Sequence, residues 1–410
     1  MKKLLAILLV CAMAFALVAA CAQDAPAPVA DPTPAADEPT PTPDAPPPPE
    51  EPAELPEVPD VPEGLDLSGL RVALVTHGPP GVSEVFDGSF NEGAWNGIVQ
   101  FLEDHGLDTT IGDGQLAFFQ AHESEDDARV AAMGMAIEWG AQVIVLPGFH
   151  FISSSYMAAT QFPDTMFIAI DFAPSNPDDP DAPTPPNVVS IIYAEEQPGF
   201  LAGYAVVMEG MRELGFMGGA AVPAVIRFGH GFVQGAEHAA RELGLSPGEV
   251  TVLYNYLGAF GPDPRVATMA GSWFAGGTEV IFVAGGRAWV SVFPEAEHAG
   301  AWAVGVDVDQ VADSPAVITS AMKALALTVH DMITAFVADE FPGGTNFLFD
   351  ASVDRVGLPM GTSRFSNFTQ AQYDSVFADL VSGAVVVNND ISIAVTDLPL
   401  DIVDVIMIVD

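Results

Sequence analysis

Arg71-Val72-Ala73-Leu74-Val75-Thr76 is a short apolar run that reads as a buried strand. A helical pattern over 91–105 follows it, then a second over 128–139 and a strand over 142–146. A helix reaching through 157–162 and a strand over 165–171 extend the series. Short apolar runs alternating with longer helical patterns predict a parallel sheet covered by helices on both faces.

The pattern then restarts. Residues 197–214 read as helix, 216–221 as strand and 232–243 as helix, followed by strands over 250–256, 280–284 and 301–306. This predicts an α/β protein of two Rossmann-like lobes, with a first crossover at 187–192 and a Pro-Asp surface loop over 174–186. The expected division gives lobe 1 residues 67–186 plus 307–345, and lobe 2 residues 187–306 plus 346–388. Residues 389–410 are read as a C-terminal extension. Glycines follow several strands, as in Pro147-Gly148 and Ala284-Gly285-Gly286. Ligands of open parallel sheets bind beyond the carboxyl ends of strands, where glycine admits close approach to the backbone.

The N-terminus reads as an export signal over 1–20, with basic Lys2 and Lys3 before the apolar run from Leu4 to Val18. It ends in Leu17-Val18-Ala19-Ala20-Cys21, which looks like a bacterial lipobox and predicts lipidation, such as palmitate, at Cys21. The competing reading is an ordinary signal peptide with an incidental cysteine. Residues 21–66 are rich in Pro, Ala, Asp, Glu and Thr and cannot build a core. They predict a disordered tether of at most ~140 Å, at ~3.1 Å per residue. Cys11 lies in the signal, so a chain starting at Cys21 has no partner for a disulfide and no cysteine metal site.

The formal net charge of −43 makes nucleic acid a poor partner. Loss of Lys2 and Lys3 would leave Lys323 as the sole lysine. The sequence has no GxGxxG, P-loop, HExxH or GxSxG, and no metal-spaced cluster. No cofactor is therefore expected, nor are the corresponding enzymes.

Certain residues stand out by their own chemistry. Phe90, in a polar turn, and Phe260, in a Gly-Pro-rich loop, offer faces on which a planar ring can stack; each can equally be a hydrophobic cover. Asp307 ends an apolar strand, where a carboxylate can accept from ligand hydroxyls or cap a helix. Lys323 lies in an apolar setting and needs an anion if buried, unless it snorkels to the surface. Asp171 also ends a strand, Gly285 and Gly286 can present backbone donors, and Asp87 and Asn91 can fix the loop that carries Phe90.

Asp87-Gly88-Ser89-Phe90-Asn91 followed by Ala94-Trp95-Asn96-Gly97 resembles a segment of the basic membrane protein family, purine-nucleoside-receptor-like lipoproteins of ABC transporters. The resemblance continues through Glu196-Gln197-Pro198-Gly199-Phe200-Leu201-Ala202-Gly203, Gly231-Phe232 with Gly235, Gly305-Val306-Asp307-Val308-Asp309-Gln310 and Thr319-Ser320-Ala321-Met322-Lys323. It implies a type I periplasmic-binding-protein fold with a hinge and an interlobe cleft. It also implies a base sandwiched by Phe90 and Phe260, and a sugar-hydroxyl contact at Lys323. A monomeric, lipid-anchored receptor on the extracytoplasmic face, working with a permease and an ATPase, follows from the same resemblance. Many family members carry Asp at the end of the first strand, where this chain has His77. Imidazole does not reproduce a carboxylate accepting from a base edge. A receptor for another polar ring ligand, such as a sugar or modified base, and a surface-anchored enzyme are the alternatives.

Overall fold

The computed structural model describes residues 58–409, all within one compact unit spanning 51–410. The signal segment, Cys21 and most of the tether lie outside the described residues.

Two parallel sheets are built in turn. The N-terminal half supplies β1 (Val72–Thr76), β2 (Leu116–Gln120), β3 (Val143–Pro147), β4 (Met166–Ile170) and β5 (Val188–Tyr193). The chain then crosses and forms β6 (Glu213–Gly218), β7 (Val250–Tyr256), β8 (Val280–Ala284), β9 (Trp302–Asp307) and β10 (Val317–Lys323). It returns for β11 (Thr345–Phe349) and finishes with β12 (Val356–Gly357) and β13 (Val403–Met407). The sheet orders are β11-β5-β4-β3-β1-β2 and β12-β10-β9-β8-β6-β7-β13. Every ladder is parallel except β10 with β12. Strands β1, β3 and β8 are buried along their whole length, which explains their unbroken apolar sequence.

Three features correct the expected division. The crossover expected at 187–192 is not one: that segment forms β5, paired with β4 and β11 in the first sheet. Lys323 ends β10 in the second sheet, not in lobe 1. Residues 389–410 are no separate extension, because β13 pairs in register with β7. The Glu237 carboxylate clamps that return, accepting from the backbone N–H of Asp401, Ile402 and Val403 at 2.9–3.0 Å. The connecting segments hydrogen-bond to each other, Ala194 N–H to Phe349 and Ala324 N–H to Arg355. Sequence periodicity could not reveal these crossings, because a strand pattern does not say which sheet receives it.

Helices α1 (Phe90–Asp104), α2 (Asp126–Trp139) and α3 (Ile152–Gln161) belong to the first lobe. In the second, α4 (Glu196–Glu209) lies directly against α5 (Pro223–Glu242). Glycine makes this possible: a Cβ on Gly203 would meet Phe232 O at 1.9 Å, and one on Gly235 would meet Phe200 O at 1.9 Å. The glycine-bearing segments 196–203 and 231–235 are therefore two halves of one helix seam. The second lobe also holds α6 (Pro264–Ala275) and α7 (Trp289–Ala299), while α8 (Leu325–Val337) returns to pack on α1 and α9 (Gln370–Ser382) packs near α4.

Candidate functional site

All nine residues singled out as ligand contacts line one cleft: His77, Phe90, Asn91, Asp171, Phe260, Gly285, Gly286, Asp307 and Lys323. They come from the carboxyl ends of β1, β4, β7, β8, β9 and β10, and from the start of α1. The first sheet supplies His77 and Asp171; the second supplies Phe260, Asp307 and Lys323. The cleft therefore lies between the two sheets, at their C-terminal edges.

Its floor is a cluster of buried charge. The Lys323 side chain is 2% exposed, with its ammonium 2.6 Å from Asp171, 3.0 Å from Asp307 and 3.9 Å from Glu195. Asp171 belongs to the first lobe and Lys323 to the second, so this ion pair joins them. Both aspartates have positive φ, 66° and 69° respectively, a conformation uncommon outside glycine that Asp tolerates better than most residues. Arg227 pairs with the far oxygen of Glu195 at 3.0 Å. Burial disfavours the Lys323 ammonium, but Asp171, Asp307 and Glu195 outweigh it and hold its pKa above the ordinary lysine value. Burial pushes the Asp171 and Glu195 carboxyls up, Lys323 opposing it in both. Glu195 and Arg227 escaped the sequence reading, since neither ends a strand in an evident ligand motif.

Phe90 stands over this cluster, its ring 4.4 Å from the Lys323 nitrogen. The turn that carries it is fixed by Asp87, whose carboxylate accepts from the backbone N–H of Ser89, Asn91 and Glu92 at 2.9–3.1 Å. Asn91 lines the cleft, but its amide is occupied by Glu84 O at 2.7 Å. The second lobe grips the same turn: Ser89 Oγ donates to Asp307 at 2.9 Å, Gln310 to Gly88 O at 2.8 Å and Trp289 to Asp87 O at 3.0 Å. Phe260 lies on the second-lobe side, close over Gly219 and Gly286, where added Cβ atoms would meet it at 2.5 and 3.3 Å.

His77 stacks on His150 with centroids 3.9 Å apart and planes 10° from parallel, and its Nδ1 lies 3.0 Å from Ser83 Oγ. Burial, then the charges of His150 and Arg129, pushes His77 down to about 3. Burial and Arg129 push His150 down to about 4. Both rings are thus neutral near pH 7. His150, two residues beyond Gly148, was not singled out from the sequence. Its position in the turn after a parallel strand is the signal that could have found it.

Among the described residues no helix is long and apolar enough to cross a membrane, and no group of side chains is arranged to hold a metal ion.

A family model described as "ABC transporter substrate-binding protein PnrA-like" matches residues 77–393. The chain is 24% identical over 337 residues to a Lactococcus lactis protein named "ABC transporter nucleoside-binding protein BmpA", covering 78% of this chain and 89% of that one. It is also 24% identical over 318 residues to basic membrane protein A of Borreliella burgdorferi, covering 75% and 87%. An ABC transporter solute-binding protein from Aeropyrum pernix superposes with a TM-score of 0.64 at 19% identity, covering 78% of this chain and 94% of that one. Another, from Conexibacter woesei, gives 0.60 at 20% identity, covering 78% and 99%. The two-sheet α/β fold is thus that of ABC solute-binding proteins, and the chain belongs to the Bmp family of PnrA-like ABC transporter substrate-binding proteins.

Proposed function

We propose that this protein captures a nucleoside, purine by preference, in the interlobe cleft and delivers it to the permease and ATPase of an ABC importer. The observation that carries this reading is the pairing of Phe90 and Phe260 from opposite lobes along one cleft, above a floor of carboxylates and one ammonium. A planar base fits between two rings, and ribose hydroxyls can donate to Asp307 and accept from Lys323. Withdrawal from water strengthens these contacts once the cleft is occupied. The name of the Lactococcus relative agrees with this reading. The neutral His77–His150 stack, in place of a carboxylate, leaves room for a modified base or another polar ring.

Calorimetry against a nucleoside panel tests the proposal, with mass spectrometry of any ligand that co-purifies. Phe90→Ala and Phe260→Ala should each weaken nucleoside binding by roughly 1–3 kcal/mol, the usual scale of base–aromatic stacking. Normal binding by both variants would make the rings structural.

The same reading anchors the chain outside the cell through lipid on Cys21. Cys21→Ser should move the protein from the membrane fraction to the soluble one. Retention of that variant on membranes would sink the anchor.

A further inference from the structure

Of the 12 lysines and arginines, all but Lys2 and Lys3 lie among the described residues. Most are ion-paired, as Lys323 is to Asp171 and Asp307, Arg227 to Glu195 and Arg355 to Asp331. Arg212 and Arg364 donate to main-chain carbonyls, and Arg71 donates to Trp139 O while lying over its ring. Among the described Lys and Arg side chains, that of Arg287 alone has no hydrogen bond, ion pair or ring contact. It is half-buried and lines the cleft from the second lobe, in the turn Gly286–Ala288 after β8.

A free guanidinium here is not explained by a shortage of acid, since the chain carries 55 Asp and Glu. The neighbouring cleft carboxylates are committed to their own loop: Glu84 accepts from Gly81 N–H at 2.6 Å, and Asp87 holds the start of α1. Nor can Lys323 receive an anion, because Asp171 and Asp307 already offset its charge. We propose that Arg287 is an anion subsite, and that the cleft takes a nucleoside bearing a phosphate or a carboxylate. This rests on the nucleoside reading and narrows its ligand class. A guanidinium presents a planar fork of N–H donors that matches either group in bidentate fashion. In a molecule of net charge −43 the surrounding field repels an anionic ligand, so a local unpaired cation is needed to hold one.

The experiment compares the wild type with Arg287→Gln and Arg287→Lys by calorimetry, using adenosine against adenosine monophosphate and uridine against orotidine. The wild type should bind an anionic probe at least tenfold tighter than its neutral match. Arg287→Gln should bring that ratio close to one, and Arg287→Lys, which keeps charge but not the fork, should lower it severalfold. Preference for the monophosphate alone places the anion on the ribose, and preference for orotidine alone places it on the base. Should Arg287→Gln fail to fold, the fall in ratio is read in Arg287→Lys. A second arm follows melting temperature with inorganic phosphate and acetate. An Arg287-dependent upshift, together with no measurable binding of any of the four nucleoside probes, sinks the nucleoside reading and leaves the subsite standing. Equal affinity for neutral and anionic probes in the wild type, or a ratio unmoved by both variants, overturns the subsite even if neutral nucleosides bind.

Discussion

The α4–α5 seam and the cleft floor adjoin each other, yet they are buried by opposite means. Along the seam, glycines at 199, 203, 231 and 235 let one helix backbone rest on the other, and the fit is set by backbone contact. At its end the chain places Glu195, Arg227, Asp171, Asp307 and Lys323 out of water, and here charge is the whole issue. The seam stays within the second lobe, whereas the floor joins both. Close packing has one solution and resists change. A buried ion cluster leaves partners that a ligand can compete for, at the risk of unpaired charge if any member is lost.

Removing the ammonium probes that contrast most strongly. Lys323→Met keeps the apolar stem and strands up to three carboxylates, so it should destabilise the fold by about 3–5 kcal/mol. Since the folded pKa of Lys323 is raised, its contribution is present throughout the range below its ordinary value of 10.5. The variant's deficit should shrink toward pH 5, because burial already favours protonation of Asp171 and Glu195. Urea unfolding at pH 7.5 and pH 5 measures both. A loss below about 1 kcal/mol, or one independent of pH, would place the floor's stability elsewhere.

The seam answers to a single methyl group. Helix propensity alone predicts that Gly203→Ala stabilises by about 0.5–1 kcal/mol. The 1.9 Å approach to Phe232 O reverses the sign, and a loss of roughly 1–3 kcal/mol is expected, without the pH dependence of Lys323→Met. A gain in melting temperature would show that the helices can part freely.

The smallest effect concerns the cleft wall. His77 has a folded pKa of about 3 against an ordinary 6.5. Below pH 6.5 the unfolded chain takes a proton that the folded one refuses, so stability falls as pH drops toward 3. His77→Asn should remove up to about 2 kcal/mol of that decline between pH 7 and pH 5. Parallel stability curves for variant and wild type would rule out a neutral, buried ring.

Much of this was legible in the chain. Strands 250–256 and 280–284 have the bounds expected of them, the first from near-alternating burial of β-formers and the second from an unbroken apolar run between turns. Helix 197–214 was read too long, since β6 begins at Glu213 after a break at Gly210 whose φ of 120° ends the helix. The cleft residues were found because strand ends in parallel sheets converge on one edge. Glu195 is different: it becomes a neighbour of Lys323 only through the crossing that brings β10 of the second sheet against the first lobe.

Two α/β lobes, the strand-end residues that line the cleft, and Lys323 in apolar surroundings were all legible in the chain alone. These follow from local periodicity and residue chemistry, which act over a few neighbours. That β5 stays in the first sheet, that β13 closes the second and that Lys323 bridges the lobes through Asp171 depends on contacts made across the fold. The same contacts leave the Arg287 side chain without a partner among the described residues, because a charge is free or satisfied only according to what long-range folding brings within hydrogen-bonding distance.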